Sequence, residues 1–185
     1  TIKKRWEVMG GTEINTQPIV DNHKVVGVVT KGDIARTLMD AIDSHYLSST
    51  SPRYEDIAYS LQGKVVVGDP SGRFDKGKIL IGASQVERML SAIEEGDLVI
   101  LSDRCDNNYA AIASGAGCIV LCMGSKATDT EICMAKEHGV VVIETELDTF
   151  TASMEINKSV PVGAFMVTED LMSFKTNDYT DDIKN

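Results

Sequence analysis

Nowhere does this 185-residue chain carry an apolar run approaching the roughly 20 residues that cross a bilayer, so a membrane-spanning helix is excluded. Positive charge is scarce. Eighteen Lys and Arg stand against 28 Asp and Glu, a formal net charge of −10. That balance argues against a sequence-independent grip on nucleic acid or on an anionic membrane. Histidine is rarer still: His23, His45 and His138 lie in different parts of the chain, and none has a Ser or Cys partner at catalytic spacing. The four cysteines, Cys105, Cys118, Cys122 and Cys133, contain no CxxC pair, and only His138 lies near enough to complete a metal set. They read as reduced core thiols, with Cys118 and Cys122 on one side of a strand, and imply a reducing cytoplasm. The amino-terminal TIKKRWEVMGG has no apolar h-region and does not read as a signal peptide.

What is present is the composition of a soluble globular protein, with 43% hydrophobic and 25% charged residues. Residues 1–46 read as helix, strand, strand, helix. Ile2, Trp6 and Met9 fall at helical spacing, and QPIVD and VVGVVT flank the polar turn DNHK. Ala35, Leu38, Met39 and Ile42 form an apolar stripe on a helix opened by Gly32 and Asp33. After the Ser- and Thr-rich linker SHYLSSTSPRY, residues 47–158 repeat one pattern. KVVVG, KILIGA, DLVIL, CIVLC and VVVIE are continuous apolar runs, and helical stripes such as Val86, Met89, Leu90 and Ile93 separate the later ones. Strands alternating with helices predict an α/β architecture, a doubly wound, mainly parallel sheet covered on both faces. In residues 159–185, VPVGAFMV and LMSFKT read as strands and NDYTDDIKN as the beginning of a helix. A strand and a helix start cannot bury a face alone, so this segment is expected to need a partner.

The stretch GVVTKGDIA offers the most specific chemistry. Asp33 could simply cap the helix and Thr30 end the strand. Alternatively, a threonine hydroxyl and free amides at a helix start suit a phosphate, and a carboxylate suits ribose hydroxyls. Two glycine-containing loops are weaker candidates for an anion. GDPSGRFDKGK, with Arg73, Lys76 and Lys78, reads rather as an exposed turn with solvated charges. LCMGSKATD, with Gly124, Ser125 and Lys126, lacks P-loop spacing and reads as a connection.

INTQPIVDNHKVVGVVTKGDIARTLMDA resembles the second half of a CBS domain, with its Pro-Val-x-Asp strand and Gly-x-x-Thr-x-x-Asp turn. The resemblance implies that Thr30 touches phosphate, that Asp33 binds ribose, and that Asn15, Thr16 and Pro18 line an adenine slot. The middle segment resembles the DRTGG domain. At the signature position it reads LSDRCDN, so Asp103 and Arg104 match while Cys105, Asp106 and Asn107 replace Thr-Gly-Gly. Asp103 and Arg104 are expected to shape that loop as an ion pair or cap, and the loop could equally meet a partner subunit. SVPVGAFMVTEDLMSFKTNDYTDDIKN resembles the opening of another CBS domain, which makes Val160, Pro161 and Val162 candidates for adenine contacts.

The order CBS, DRTGG, CBS is similar to the regulatory insert of manganese-dependent family II inorganic pyrophosphatases. The expected fold is thus a DRTGG α/β sheet flanked by partial α+β CBS units. The resemblance implies a homodimeric, cytoplasmic region controlling attached catalytic modules. It also implies inhibition by AMP and ADP, and activation by ATP or diadenosine polyphosphates. Manganese belongs to those modules, which lie outside this stretch; no cofactor and no catalytic residue is expected here. Two alternatives stand beside it: a dimerisation module without a ligand, and a regulatory region of another enzyme such as a phosphate acetyltransferase.

Overall fold

A computed structural model describes residues 1–82, 84–169 and 171. The first unit consists of α1 (Ile2–Met9), β1 (Thr16–Asp21), β2 (Lys24–Thr30) and α2 (Lys31–Asp40). The short helices α3 (Tyr46–Ser49) and α4 (Tyr54–Ser60) lead to β3 (Lys64–Val67) and β4 (Ile79–Ile81). Then α5 (Val86–Leu90), β5 (Leu98–Leu101), α6 (Cys105–Ala113), β6 (Cys118–Leu121), α7 (Asp129–His138), β7 (Val141–Glu144) and α8 (Thr149–Glu155) alternate.

Strands β4 to β7 are parallel neighbours, and β3 closes the sheet antiparallel to β7, giving the order β3-β7-β6-β5-β4. Every residue of β5, β6 and β7 is buried, whereas the edge strands β3 and β4 are only partly covered. The chain steps across the sheet in one direction from β4 to β7, so right-handed crossovers place α5, α6 and α7 on one face. There Met89, Ala111, Ile112 and Ala135 pack on Val99, Leu101, Ile119 and Val142. The other face is covered by helices outside those crossovers. Ile57 of α4, Leu61 just past its end and Ala152 of α8 meet Leu98, Ile100, Cys118, Val120 and Ile143. Ile2, Met9, Val29 and Ile34 of the first unit join this same core, as does Cys122.

The hairpin turns at Asn22 and His23, both with positive φ (47° and 64°), which matches the right-handed twist of its strands. Pro18 lies opposite Val28, whose N–H and C=O both turn away to Val167 at 2.9 Å. A residue without an N–H therefore sits where the ladder needs none.

Three expectations are corrected. VPVGAFMV is not a strand: Val162–Ala164 form a 3-10 turn, and only Val167 bridges β2. Pro161 starts the turn at φ −69°, and Ala164 N–H donates back to its carbonyl at 3.0 Å. On α2 the stripe Ala35, Leu38, Met39 and Ile42 faces outward, Ile42 being 81% exposed. The helix instead buries Asp33, Ile34 and Thr37, a neighbouring face of smaller total volume that approaches the hairpin closely. On α1, Ile2 and Met9 are buried but Trp6 is half exposed. The expected strand at 171–176 and helix at 177–185 lie outside the described residues, save Leu171.

Candidate functional site

Helix α2 begins where β2 ends, and its cap is Thr30, with Asp33 three positions on. Asp33 N–H donates to Thr30 Oγ1 at 3.1 Å, while Thr30 N–H donates to Asp33 Oδ2 at 2.9 Å. The Thr30 hydroxyl also donates to Oδ2, at 2.7 Å. This is a capping box, and it satisfies two donors that a helix start otherwise leaves open. Asp33 Oδ2 is thereby saturated. Its Oδ1 has only the Arg36 guanidinium, 3.9 Å away, leaving lone pairs for a hydroxyl donor.

Asn15 and Thr16 are brought beside this turn. Lys31 N–H donates to Asn15 O at 3.1 Å, and Thr16 is the register partner of Thr30. Both side chains are exposed, as is Pro18 two residues along the strand. Pro161 and Val162 are half buried, whereas Val160 is fully enclosed in the core, its carbonyl held by Ile2 N–H at 3.1 Å. Val160 therefore presents no surface to a ligand.

Beside Asp33 opens a cleft of about 150 Å3, lined further by Arg36, Thr37, Asp40, Tyr46, Ala164 and Phe165. Thr37 Oγ1 donates to the Asp33 carbonyl at 2.8 Å and is buried, so this wall is fixed. Burial, followed by the nearby Asp40 carboxylate, pushes the Tyr46 phenol above its ordinary pKa. Sequence reasoning missed Arg36, Tyr46 and Phe165. Arg36 was legible as one turn past the aspartate; Tyr46 and Phe165 come from distant segments. The cleft is smaller than the roughly 300 Å3 at which pockets for drug-sized ligands begin.

The other loops are occupied by their own side chains. Thr128 and Glu131 form a second capping box at α7, and Lys126 lies 3.3 Å from Glu146 and 3.6 Å from Glu144, so Gly124–Lys126 leaves no open anion cradle. In GDPSGRFDKGK the charges of Arg73 and Lys76 are exposed, as expected of a turn, whereas that of Lys78 is drawn in. Lys76 pairs with Glu95 at 2.8 Å, Lys78 with buried Asp97 at 3.2 Å, and Arg73 Nη1 donates to Ser51 O at 2.7 Å, because buried Phe74 draws the loop inward. Arg104 pairs with Asp106 at 3.2 Å rather than with Asp103. Among the described residues no three ligating side chains gather as a metal site, and no helix is long and apolar enough to cross a membrane.

The DRTGG domain model matches residues 56–159. Along its whole length the chain is 28% identical to a cobalt-dependent inorganic pyrophosphatase of Clostridium perfringens, covering 34% of that protein. Over 86% of the chain it is 27% identical to a probable manganese-dependent inorganic pyrophosphatase of Thermotoga maritima, of which it covers 29%. The chain thus spans about a third of the length of these curated relatives. The crystal structure of the CBS and DRTGG domains of the regulatory region of the Clostridium perfringens pyrophosphatase, complexed with the activator diadenosine tetraphosphate, aligns with a TM-score of 0.91 at 27% identity. All of this chain and 80% of that one are covered.

Proposed function

The chain belongs to the DRTGG-domain family, and from that premise we propose that it is the adenine-nucleotide-binding regulatory region of an inorganic pyrophosphatase. The likeness that carries this reading is the full-length match to a regulatory region holding diadenosine tetraphosphate. The local chemistry supports it. Asp33 Oδ1 can accept from ribose hydroxyls, Gly32 N–H can meet phosphate at the start of α2, the Thr30 hydroxyl can turn from Asp33 Oδ2 to join it, and Arg36 adds positive charge. Asn15, Thr16 and Pro18 border the base on one side, and Pro161 and Val162 approach from the other. The small cleft is one part of a larger site that a second CBS unit completes. The divisions 1–46, 47–158 and 159–185 are the corresponding CBS, DRTGG and CBS parts.

In this reading the region works as a cytoplasmic homodimer attached to catalytic modules that hold manganese or cobalt. Different nucleotides favour different arrangements of the two subunits. Each shifts the balance only by its difference in affinity between them, so one site can serve both inhibitor and activator.

Isothermal titration of the full-length protein with AMP and with diadenosine tetraphosphate tests the proposal. Saturable binding that is lost in Asp33→Ala is expected. Absence of binding by the unmodified protein would overturn it and leave the second reading, a dimerisation module. That reading is favoured by one observation: the Thr30–Asp33 box closes on itself without any ligand.

A further inference from the structure

Where β3 begins beside the end of β7 lies a hollow of about 230 Å3, bordered by Gln62, Gly63, Lys64, Lys126, Glu144 and Glu146. Glu144 is the last residue of β7, and its side chain is only 6% exposed. One carboxylate oxygen, Oε1, accepts from Ala127 N–H at 2.9 Å. The other, Oε2, is enclosed and accepts no hydrogen bond among the described residues. Lys64, its register partner on β3, and Lys126, from the loop after β6, bring their ammonium groups to 3.5 and 3.6 Å of Oε2. Those are ion-pair separations, longer than the roughly 3.2 Å limit of a good hydrogen bond. An enclosed acceptor left open in this way calls for a donor from outside the chain.

The back of the hollow is fixed by the fold, and its front can open. A Cβ on Gly63 would overlap the Glu144 carbonyl, so only glycine lets the chain enter β3 this close to β7. Thr145 Oγ1 donates to Leu61 O at 2.6 Å and accepts from Leu147 N–H at 3.1 Å, so it offers the hollow no open donor. The two lysine side chains over Oε2 are 67% and 58% exposed and can swing. Glu146 is mostly exposed, and its pair with Lys126 holds weakly. A bare anion finds no cradle here, because Glu144 repels it and, with Glu146, already engages Lys126. An anion carrying its own proton differs: it supplies the missing donor while its charged oxygens take over the lysines. We propose that the hollow binds a phosphate group that keeps a proton, either inorganic phosphate or the end of a phosphate monoester. Its P–OH donates to Glu144 Oε2, and its anionic oxygens accept from Lys64 and Lys126. The site shares no lining residue with the cleft beside Asp33 and stands independently of the nucleotide reading.

The test is amide NMR of the chain at neutral pH, titrated with sodium phosphate and, separately, with sodium sulfate. Phosphate is expected to shift the Lys64, Ala127 and Thr145 amides saturably. Sulfate, which has acceptors only and would face an acceptor, is expected to bind at least about tenfold more weakly. Lys64→Met and Lys126→Met each weaken phosphate binding. Glu144→Gln keeps the acceptor for Ala127 but turns the open oxygen into an N–H donor, so the variant binds the two ions alike. A purely structural ion pair cannot produce that loss of discrimination. The comparison of the two ions in the unmodified chain needs no variant, so it decides the matter even where Glu144→Gln fails to fold. Methyl phosphate separates the sources, since its second ionisation at about pH 6 removes its proton. Binding of methyl phosphate below that pH alone admits a monoester; no binding at either pH assigns the site to inorganic phosphate. Equal affinity for phosphate and sulfate in the unmodified chain would reduce the site to an unselective lysine patch and overturn the proposal. So would shifts confined to the Gly32 and Asp33 amides, or none at all.

Discussion

Thr30 and Asp33 hold one another through three hydrogen bonds of 2.7 to 3.1 Å, so a single pair of side chains both starts a helix and forms the candidate ribose contact. The two roles separate by chain length. Asp33→Glu keeps a carboxylate at the third helical position, where glutamate serves a capping box equally well. Stability should change by less than about 0.5 kcal/mol in urea denaturation. The longer side chain moves its free oxygen, and titration should show AMP affinity falling at least tenfold. Thr30→Ala behaves differently, costing about 1 kcal/mol of stability through the lost cap as well as weakening binding. Equal AMP affinity in Asp33→Glu and the unmodified protein would leave the aspartate a cap alone.

Asp97 presents a second internal test. Its side chain is fully buried and accepts from the N–H groups of Lys78 and Glu94, both at 2.8 Å, beside the Lys78 ammonium at 3.2 Å. It ties the start of β4 to the start of β5. Asp97→Ala should cost about 3 kcal/mol, because an ammonium loses its buried partner and two amides lose their acceptor. Urea denaturation followed by circular dichroism measures it, and a loss below about 1 kcal/mol would contradict the account.

The same pair sets an alkaline limit. Burial by itself lowers the Lys78 pKa, but hydrogen bonds to Glu94 and Asp97 outweigh it and leave the value raised from 10.5. A group whose folded pKa is raised contributes in full below its unfolded value, and the contribution disappears as pH rises through the folded one. Thermal stability should therefore decline above pH 10.5 more steeply in the unmodified protein than in Lys78→Met. Parallel declines in a melting series from pH 9.5 to 11.5 would remove Lys78 as the cause.

How much of this was legible beforehand depends on whether neighbours in space were neighbours in sequence. DLVIL, CIVLC and VVVIE read correctly because strands buried on both faces need no alternation. Thr30 and Asp33 were legible because a capping box and a nucleotide turn share one short spacing. The α2 face was misread because two stripes of similar spacing compete, and only packing against the hairpin selects between them. VPVGAFMV misled by its hydrophobicity; Pro161 and Gly163 were the better guides. Tyr46 and Phe165 reach the cleft from separate segments, and no local pattern announces that.

The thiols divide by location. Cys118 and Cys122 are fully buried, and burial drives both pKa values up, that of Cys122 to about 11. Cys105 and Cys133 are exposed. Since the thiolate is the reactive form, a maleimide or disulfide reagent at pH 8 should modify two thiols in the folded chain and four in denaturant. Rapid modification of all four in the native protein would refute the packing of β6.

Gly27 links the hairpin to the cleft beside Asp33. A Cβ there would lie 2.7 Å from Met166 Sδ and 3.2 Å from Val167 O. The sulfur can swing aside; the carbonyl cannot, because Val167 is bonded to Val28 in both directions. Gly27→Val must therefore push residues 164–167 off β2, at about 1–3 kcal/mol for overpacking. Ala164 and Phe165 line the wall facing Asp33, so the same displacement opens the cleft. Hydrogen exchange at the Val28 and Val167 amides should accelerate together, and AMP affinity should fall although no ligand-facing residue has changed. Faster exchange with unaltered affinity would show that the segment supports the hairpin but forms no part of the site.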